Sequence, residues 1–266
     1  MLLGIMLACH PNENGSQVAI PEPYEGYEMV WNDEFEGSSL SEDWVYDLGD
    51  GCPDLCGWGN EELQFYRKQN AELKDGHLVI TAKKQTIRGK RYTSARIKTQ
   101  GRQAFTFGRI DIRAKMPEGQ GIWPALWMLG ESITEVGWPA CGEIDIMEMI
   151  GGKEDGRDNT VHGHVHWEED GKHRFKGGKK TLSEGILGDE FRVYSIIWKE
   201  DKVAWLLDDE VYHELDISRD SMEELRRPHF LIMNLAVGGK WPGNPDEETI
   251  FPQEMYIDYV RVYQEK

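Results

Sequence analysis

Three acidic residues lie within six positions of one short apolar stretch. Glu143, Asp145 and Glu148 are separated by bulky apolar residues such as Ile144, rather than by lysine, serine or glycine. This pattern predicts a buried strand with acids on one face, because side chains along a strand point alternately to its two faces. Carboxylates packed so closely cannot all ionise at low cost, so at least one pKa must rise. One ionised carboxylate beside one protonated neighbour can perform nucleophilic and general acid/base catalysis on a glycosidic bond.

Glu148 has the wrong parity to share the face of Glu143 and Asp145 in a regular strand. A β-bulge inserts one extra residue into a strand and would restore the parity, and we predict Met147 to be that residue. All three acids would then face one cleft. A Ca²⁺ site or an acidic edge strand is the alternative interpretation of this stretch.

The overall charge of the chain narrows the classes of partner. The 266 residues include 48 acids against 30 lysines and arginines, a formal charge of −18. Such a charge repels nucleic acid and anionic membranes, and it argues against sulfated polysaccharides as substrate. Apolar residues make up 39% of the chain and the mean hydropathy is −0.60, which predicts a sizeable core and excludes an integral membrane protein. The sequence has no phosphate-binding glycine loop and no serine nucleophile elbow, so we expect no organic cofactor.

The elements that must position the acids are short strands. Segments of alternating polarity are separated by Gly, Pro, Asn and Asp turn signals, which predicts an antiparallel sandwich or barrel rather than βαβ units. Helical periodicity appears only briefly, over residues 218–226, and no internal repeat is visible. The clearest predicted strands cover residues 78–83, 108–116, 191–198, 202–207, 230–237 and 255–264.

The amino-terminal segment differs in composition from the rest. Residues 1–23 are predicted to be an export segment and a tether, and residues 24–266 to form a single catalytic domain. Residues 7–9 (Leu-Ala-Cys) resemble the lipobox of bacterial lipoproteins, in which the cysteine is lipidated after the signal is cleaved. No basic residue precedes this apolar run, so a lipid anchor at Cys9 is a finer prediction than export itself.

Three further cysteines lie in the predicted domain. Cys52 and Cys56 are close enough in sequence to form a small loop disulfide in an exported protein, or they remain free thiols. Two cysteines alone are too few for a tetrahedral zinc site. Cys141 precedes the acidic stretch and is predicted to be a small buried apolar residue.

Tryptophan is abundant, with ten residues. Rings beside proline and glycine belong in loops or at strand ends, where they line a groove and can stack on the apolar face of a sugar. Those placed near such residues are Trp58, Trp123, Trp127, Trp138 and Trp241. In contrast, Trp31, Trp198 and Trp205 lie in apolar runs and are predicted in the core.

Three histidines alternate along another predicted strand. His162, His164 and His166 therefore share one face. Imidazoles with this alternation could converge on a metal ion, but a metal centre would leave the three acids without a role. We therefore favour a polar face lining the same cleft. His166 is predicted to hydrogen-bond a catalytic carboxylate or a sugar hydroxyl.

Six segments carry a resemblance to a known family. The segments are WNDEF (31–35), WGNEELQ (58–64), GIWPALWM (121–128), GWPACGE (137–143), NLAVGG (234–239) and DYVRVY (258–263). With them, the chain resembles glycoside hydrolase family 16, and within it the bacterial laminarinases, which are endo-β-1,3-glucanases. Lichenases of the same family have a shorter Glu-x-Asp-x-Glu motif, whereas this chain has Glu-x-Asp-x-x-Glu.

The resemblance implies a fold and a set of roles. The fold would be a β-jelly-roll sandwich of two curved antiparallel sheets with a concave substrate cleft. Glu143 would be the nucleophile, Glu148 the general acid/base, and Asp145 the residue that tunes the nucleophile. Sugar contacts are implied for Asn60, Arg96, Trp123, Trp127, Trp138 and Trp241, beside His166. A structural Ca²⁺ is implied at Asp258 and the main-chain carbonyls of Glu34 and Gly76, although Asp258 could instead belong to a surface ion pair.

These expectations define a function. We expect a retaining endo-hydrolase of β-1,3-glucan of the laminarin type, acting as a monomer. The alternatives are a mixed-linkage β-1,3-1,4-glucanase, or a lectin-like β-glucan-binding protein without catalysis, since a fold does not fix a function.

Overall fold

The computed structural model describes residues 24–154 and 156–266. The predicted export segment, including Cys9, lies outside these ranges. Strands dominate the described residues, which confirms the all-β class. The strands are β1 (Tyr27–Asp33), β2 (Val45–Asp47), β3 (Gln64–Tyr66), β4 (Ala71–Lys74), β5 (His77–Ala82), β6 (Tyr92–Ser94), β7 (Arg96–Lys98), β8 (Gly108–Lys115), β9 (Ile122–Gly130), β10 (Glu143–Glu148), β11 (Thr160–Glu169), β12 (Lys172–Thr181), β13 (Arg192–Trp198), β14 (Lys202–Leu207), β15 (Glu210–Asp216), β16 (His229–Val237) and β17 (Gln253–Glu265).

Helical structure in the described residues is confined to short segments. α1 covers Ile133–Val136, and three 3-10 helices cover Cys56–Gly59, Lys68–Asn70 and Asp220–Arg226. The last of these corresponds to the helical periodicity seen in the sequence. Within the described ranges, no helix has the length and apolar character needed to cross a bilayer.

Two large antiparallel sheets form the sandwich. The back sheet has the strand order β15-β14-β13-β8-β17-β5-β4, with β1 also paired to β17. The site sheet has the order β12-β11-β10-β9-β16-β7-β2, so the acidic strand β10 lies near its middle. A separate parallel pair joins β3 to β6. The predicted strand segments agree with these strands to within two residues at each end.

Alternating side chains create the core between the sheets. On β8, Ile110 and Ile112 are fully buried in the same cluster as Ile144 of β10 and Leu231 of β16. Burial of such apolar surface contributes roughly 25 cal/mol per Å² and is the main force that holds the two sheets together. Trp198 and Trp205 are fully buried as predicted, and Trp31 is partly buried against the same cluster.

The cysteines have distinct environments. Cys52 and Cys56 form a disulfide, which resolves the two alternatives left open by their spacing. Cys141 is a free, buried thiol, as predicted.

Candidate active site

A bulge in β10 brings the three acids to one face of the site sheet. Asp145 lies opposite Trp127 of β9, and Glu148 lies opposite Ala125, so three steps along β10 match two along β9. The same irregularity occurs against β11. Before the bulge Ile144 points into the core, and after it Met149 does so. The parity of the strand therefore changes between Asp145 and Glu148, as the sequence predicted.

The identity of the extra residue differs from the prediction. Met147 has a partner, Leu126, on β9, whereas Ile146 has none, so Ile146 is the inserted residue with respect to that strand. Both Ile146 and Met147 are buried in the core. Two successive apolar side chains thus point inward, and apolar character alone does not distinguish which one is extra.

The back sheet supports the bulge from below. The indole N–H of Trp205, on β14, donates to the main-chain carbonyl of Asp145 at 2.7 Å. Gly163 of β11 makes room for this ring, because a Cβ at that position would collide with the Trp205 indole. The bulged carbonyl is consequently satisfied although it is buried, which removes the cost of an unpaired polar group.

The carboxyl groups lie close together and each has a specific donor. Carboxylate oxygens of Glu143 and Asp145 lie within 4.8 Å of each other, as do those of Asp145 and Glu148. The indole N–H of Trp138 donates to Glu143 Oε2 at 2.9 Å, and that of Trp123 donates to Glu148 Oε1 at 3.1 Å. The two glutamates therefore flank Asp145, and each is oriented by a tryptophan.

Burial raises the pKa values of Glu143 and Asp145. The pKa of Glu143 is raised to about 8, first by burial and then by the charge of Asp145, while His166 and the Trp138 N–H oppose the rise. The pKa of Asp145 is raised well above its usual range by burial and by the charge of Glu148. Since neither carboxyl ionises easily beside the other, the pair tends to retain a proton.

Histidines of β11 contact the acids of β10. His166 Nε2 lies 3.1 Å from Asp145 Oδ2, and His164 Nδ1 lies 3.4 Å from Glu148 Oε2. His162 packs edge-on against Trp241 at 5.0 Å instead. Burial, followed by the charge of His164, lowers the pKa of His162 to about 4. These contacts support the interpretation of this face as the lining of a cleft.

The opposite side of β10 is lined by tryptophan. The Trp241 ring packs edge-on against Trp123, with 5.7 Å between centroids. Trp127 donates its indole N–H to the side-chain oxygen of Asn234 on β16 at 2.7 Å. We call Trp123, Trp127, Asn234 and Arg96 the tryptophan flank, and His162, His164, His166 and His173 the histidine flank.

Arg96 extends the tryptophan flank to β7. Its guanidinium lies 4.8 Å from the ring centroids of both Trp58 and Trp127, and its Nε lies 2.9 Å from Asp47 Oδ2. A cation between two aromatic faces is stabilised by both rings. Two strands separate β7 from β10, so Arg96 lies roughly 14 Å from the acids, at the spacing of neighbouring strands.

Asn60 lies in an exposed loop on the same side. Its side-chain Nδ2 donates to Glu62 Oε1 at 3.4 Å. Its main-chain carbonyl accepts from the main-chain N–H of Lys240 at 2.9 Å. Lys240 precedes Trp241, so this hydrogen bond ties the loop to the tryptophan that lines the cleft. Burial raises the pKa of Glu62, which also accepts from Gln64.

The strand registers place the residues implied as calcium ligands near one edge of β17. β1 and β5 pair with the same edge, and their registers end at Asp33–Val260 and begin near Leu78–Ile257. Glu34 and Gly76 follow and precede those positions, on either side of Asp258. The Asp258 carboxylate accepts from Arg113 at 2.5 Å and lies 3.6 Å from His77. Two carbonyls and a carboxylate fit the oxygen donors that Ca²⁺ prefers, although Asp258 would share its charge with Arg113.

Several site residues escaped the sequence analysis. Asn234 accepts from Trp127, Trp205 supports the bulge, and His173 Nε2 lies 2.9 Å from His166 Nδ1. Strand parity could have placed Asn234 on the site face. The remaining contacts depend on the order of strands and on the packing of one sheet against the other, which no local pattern encodes.

Comparison with known proteins identifies relatives over most of the chain. The family described as Glycosyl hydrolases family 16 matches residues 60–261. A β-glucanase from Rhodothermus marinus is 39% identical, with 98% of this chain and 92% of the relative aligned. The clotting factor G alpha subunit of Tachypleus tridentatus is 38% identical over 90% of this chain, but the match covers only 34% of that longer protein.

A solved structure shares the fold. The laminarinase catalytic domain from Thermotoga maritima has a TM-score of 0.82 and 43% sequence identity, and the alignment covers 90% of this chain and 99% of that one. This similarity confirms the predicted jelly-roll sandwich.

Proposed function

The chain belongs to glycosyl hydrolase family 16, and from this premise we propose that it is a retaining endo-hydrolase of laminarin-type β-1,3-glucan. The observation that carries the proposal is the bulge that brings Glu143, Asp145 and Glu148 to one face. Each glutamate lies within 4.8 Å of Asp145. Retaining enzymes need two carboxyl groups about 5–5.5 Å apart, and this clustering is compatible with that requirement.

The first half of the reaction uses both glutamates. Glu143 attacks the anomeric carbon, and Glu148 protonates the departing glycosidic oxygen, so the sugar becomes covalently attached to Glu143. The Trp138 N–H holds the Glu143 carboxylate at 2.9 Å, and the Trp123 N–H holds Glu148 at 3.1 Å. Both donors restrict the carboxyl groups to orientations from which they can reach one bond.

The second half reverses the role of Glu148. The carboxylate formed in the first half removes a proton from water, and the hydroxyl then releases the sugar from Glu143 with retained configuration. Asp145 adjusts the charge of the nucleophile throughout. It is held by His166 at 3.1 Å, and its raised pKa allows it to keep the proton that Glu143 must lose.

The test separates catalysis from binding. We expect Glu143→Ser to abolish the release of reducing ends from laminarin while the protein still binds laminarin in calorimetry. Glu148→Gln should also abolish turnover of natural glucan. Full activity in Glu143→Ser would end the assignment of the nucleophile. Binding without hydrolysis in the wild type would instead identify a lectin.

Substrate choice requires a panel of polysaccharides. Reducing-end assays on laminarin, barley mixed-linkage glucan, agarose and carrageenan should give the highest rate on laminarin. A higher rate on barley glucan would reassign the protein as a mixed-linkage glucanase. The length of the products distinguishes endo from exo cleavage, because endo cleavage of laminarin yields a range of oligosaccharides at early times.

A structural Ca²⁺ is part of the proposal. Asp258 and the carbonyls of Glu34 and Gly76 would hold the ion and tie β1 and β5 to β17. Because an ion bound only by the folded state stabilises it, added Ca²⁺ should raise the Tm and a chelator should reverse the effect. Asp258→Ala should remove the response. An identical Tm with Ca²⁺ and with chelator would rule out the ion.

Export is proposed from the sequence of residues 1–23. We propose that the chain is exported, and that Cys9 receives a lipid that anchors it to a membrane. Fractionation of a bacterial host, followed by mass spectrometry of the mature amino terminus, would identify the cleavage site and any lipid. Cys9→Ser should release the enzyme from the membrane fraction. Sedimentation of the released enzyme should give a monomer.

A further inference from the structure

The edge strand β12 carries an exposed aromatic ring on the face of the site sheet that bears the acids. Phe175 lies opposite His166, and His173 lies opposite Glu168 in the β11–β12 register. Directly opposed residues of an antiparallel pair share a face, so both side chains lie on the site face. Phe175 is 63% exposed. Its neighbours on the other face are Lys172, Arg174 and Lys176. Positively charged side chains of this kind discourage an edge strand from pairing with another chain.

Phe175 belongs to a group of nearly parallel rings. Its centroid lies 5.8 Å from those of His166 and His173, with interplanar angles of 20° and 26°. Trp138, which is 49% exposed, lies 4.5 Å from His173. We call Trp138, His173 and Phe175 the edge platform. It is continuous with the catalytic centre, because the Trp138 N–H donates to Glu143.

The chemistry of the edge platform suits a neutral ring with an apolar face. Exposed aromatic surface beside a polar cleft is typical of ligand sites, and the exposed rings of Phe175 and Trp138 offer apolar area to the C–H face of a sugar. Burial and the charge of His166 lower the pKa of His173, so it presents a neutral imidazole at neutral pH. Only β11 lies between β12 and β10, so the two strands are roughly 10 Å apart. A glucosyl unit that contacts the edge platform therefore lies beyond the units over the acids.

We propose that the edge platform is a further sugar-binding subsite, in which Phe175 and His173 stack against a glucosyl unit of the bound β-1,3-glucan. The subsite lies beyond the units that contact Glu143, Asp145 and Glu148. It rests on the proposed function, and it gives Phe175 a role in the preference for chain length rather than in the chemical step.

The test measures affinity against chain length. In the Glu143→Ser background, calorimetry with laminarioligosaccharides from the disaccharide to the hexasaccharide compares Phe175 with Phe175→Ala and Phe175→Trp. Phe175→Ala should weaken binding of the longest oligosaccharide roughly 3- to 10-fold, the effect of one aromatic stacking contact, and leave the shortest unchanged. Phe175→Trp should retain the affinity for the long chain, because the larger ring preserves stacking.

A matched control separates stacking from loss of exposed apolar surface. Val211 is 51% exposed on β15, the edge strand of the back sheet. Val211→Ala should therefore bind every oligosaccharide like the parent. An equal loss for Phe175→Ala at all lengths, or no loss at any length, would overturn the subsite. A loss that disappears in high salt would do so as well, since stacking of neutral rings is not screened.

Failure of the subsite is distinguishable from failure of the proposed function. Hydrolysis of laminarin by the wild type tests the function, whatever the affinity of Phe175→Ala. If hydrolysis is observed but affinity does not depend on Phe175, only the subsite is wrong. If long oligosaccharides bind in a Phe175-dependent way without hydrolysis in the wild type, the subsite stands and the catalytic proposal fails.

Discussion

The tryptophan flank and the histidine flank hold the same row of acids with different chemistry. On the tryptophan flank, Trp127 donates to Asn234 at 2.7 Å, and Arg96 lies 4.8 Å from the Trp127 ring. Indole, amide and guanidinium groups do not change their protonation state over the pH range in which enzymes work. On the histidine flank, His166 lies 3.1 Å from Asp145. The His166 imidazole also opposes the rise in the pKa of Glu143.

This difference separates two tasks. Groups that keep their charge can fix the position of a sugar chain without making binding depend on pH. A histidine in contact with Asp145 can instead influence the charge of Asp145, and through Asp145 that of Glu143. We therefore expect changes on the tryptophan flank to alter affinity, and changes at His166, the histidine-flank residue that contacts Asp145, to alter the pH profile.

The largest effect is expected at Asp145, where the histidine flank meets the nucleophile. Asp145→Asn keeps the shape but removes the acidic group, and kcat should fall roughly 100-fold, as expected for a group that manages a proton. The charge of Asp145 contributes to the raised pKa of Glu143, so its removal should move the acidic limb of kcat/KM to lower pH. A pH profile on laminarin checks both results. An acidic limb that moves to higher pH would contradict this assignment.

A matched pair of substitutions tests the separation directly. His166→Gln keeps a hydrogen-bonding group near Asp145 but removes the imidazole that opposes the rise in the pKa of Glu143, so kcat should fall roughly 10-fold, and the pH profile should change shape. Trp127→Phe keeps the ring and removes the donor to Asn234, so KM should rise roughly 5-fold with the profile unchanged. Both variants are measured over the full pH range. A shifted profile in Trp127→Phe would break the distinction between the flanks.

A smaller effect is expected where both flanks depend on the bulge between them. Trp205→Phe leaves the Asp145 carbonyl without its donor, so the free energy of unfolding should fall by about 1–3 kcal/mol and kcat should fall with it. Trp198 lies on the same sheet as Trp205 and provides the control. Its buried indole donates to the Leu225 carbonyl at 3.0 Å. Trp198→Phe should lose similar stability in urea but retain kcat. Equal loss of kcat in both variants would show that Trp205 acts through stability alone.

The last prediction concerns stability and pH, and it leaves the comparison of affinity and pH profile untouched. Burial raises the pKa of Glu143 to about 8 in the folded protein, from its ordinary value of 4.5. The folded state therefore binds more protons than the unfolded state between these values, and this carboxyl makes the protein less stable as pH rises from 4.5 to 8. Glu143→Gln removes the penalty, so its Tm advantage over the wild type should grow from pH 5 to pH 8, by roughly 2–4 °C per kcal/mol.

An exposed glutamate gives the comparison for that measurement. Glu223 makes a surface ion pair with Arg227 at 2.7 Å. Glu223→Gln should show no Tm advantage that grows over the same pH range. If Glu143→Gln behaves in the same way, ionisation of Glu143 does not destabilise the folded protein.

Strand periodicity explains why much of the fold was predictable. Residues 108–116 alternate between charged and apolar side chains, and the observed strand, Gly108–Lys115, buries Ile110 and Ile112. The same periodicity made the parity of Glu148 visible as an exception. It could not decide between Ile146 and Met147 as the extra residue, because both are apolar and both are buried.

Long-range contacts account for what the sequence did not reveal. β12 alternates charged residues with His173 and Phe175, which locally looks like any exposed edge strand. Its relation to the acids follows only from its pairing with β11. The stacking of Arg96 between Trp58 and Trp127 likewise depends on the strand order β9-β16-β7, to which no motif points.

The support beneath the bulge has a consequence for transplanting the acidic strand into another sandwich. Copying residues 143–148 alone would transfer the acidic sequence to a backbone that has no contacts to stabilise the bulge. The Trp205 indole on the facing sheet and the gap at Gly163 would have to move with it, because one satisfies the displaced carbonyl and the other admits the ring. The acidic strand, Trp205 and Gly163 therefore have to be transferred together. A graft that lacks any of the three should give a folded protein whose third acid faces inward.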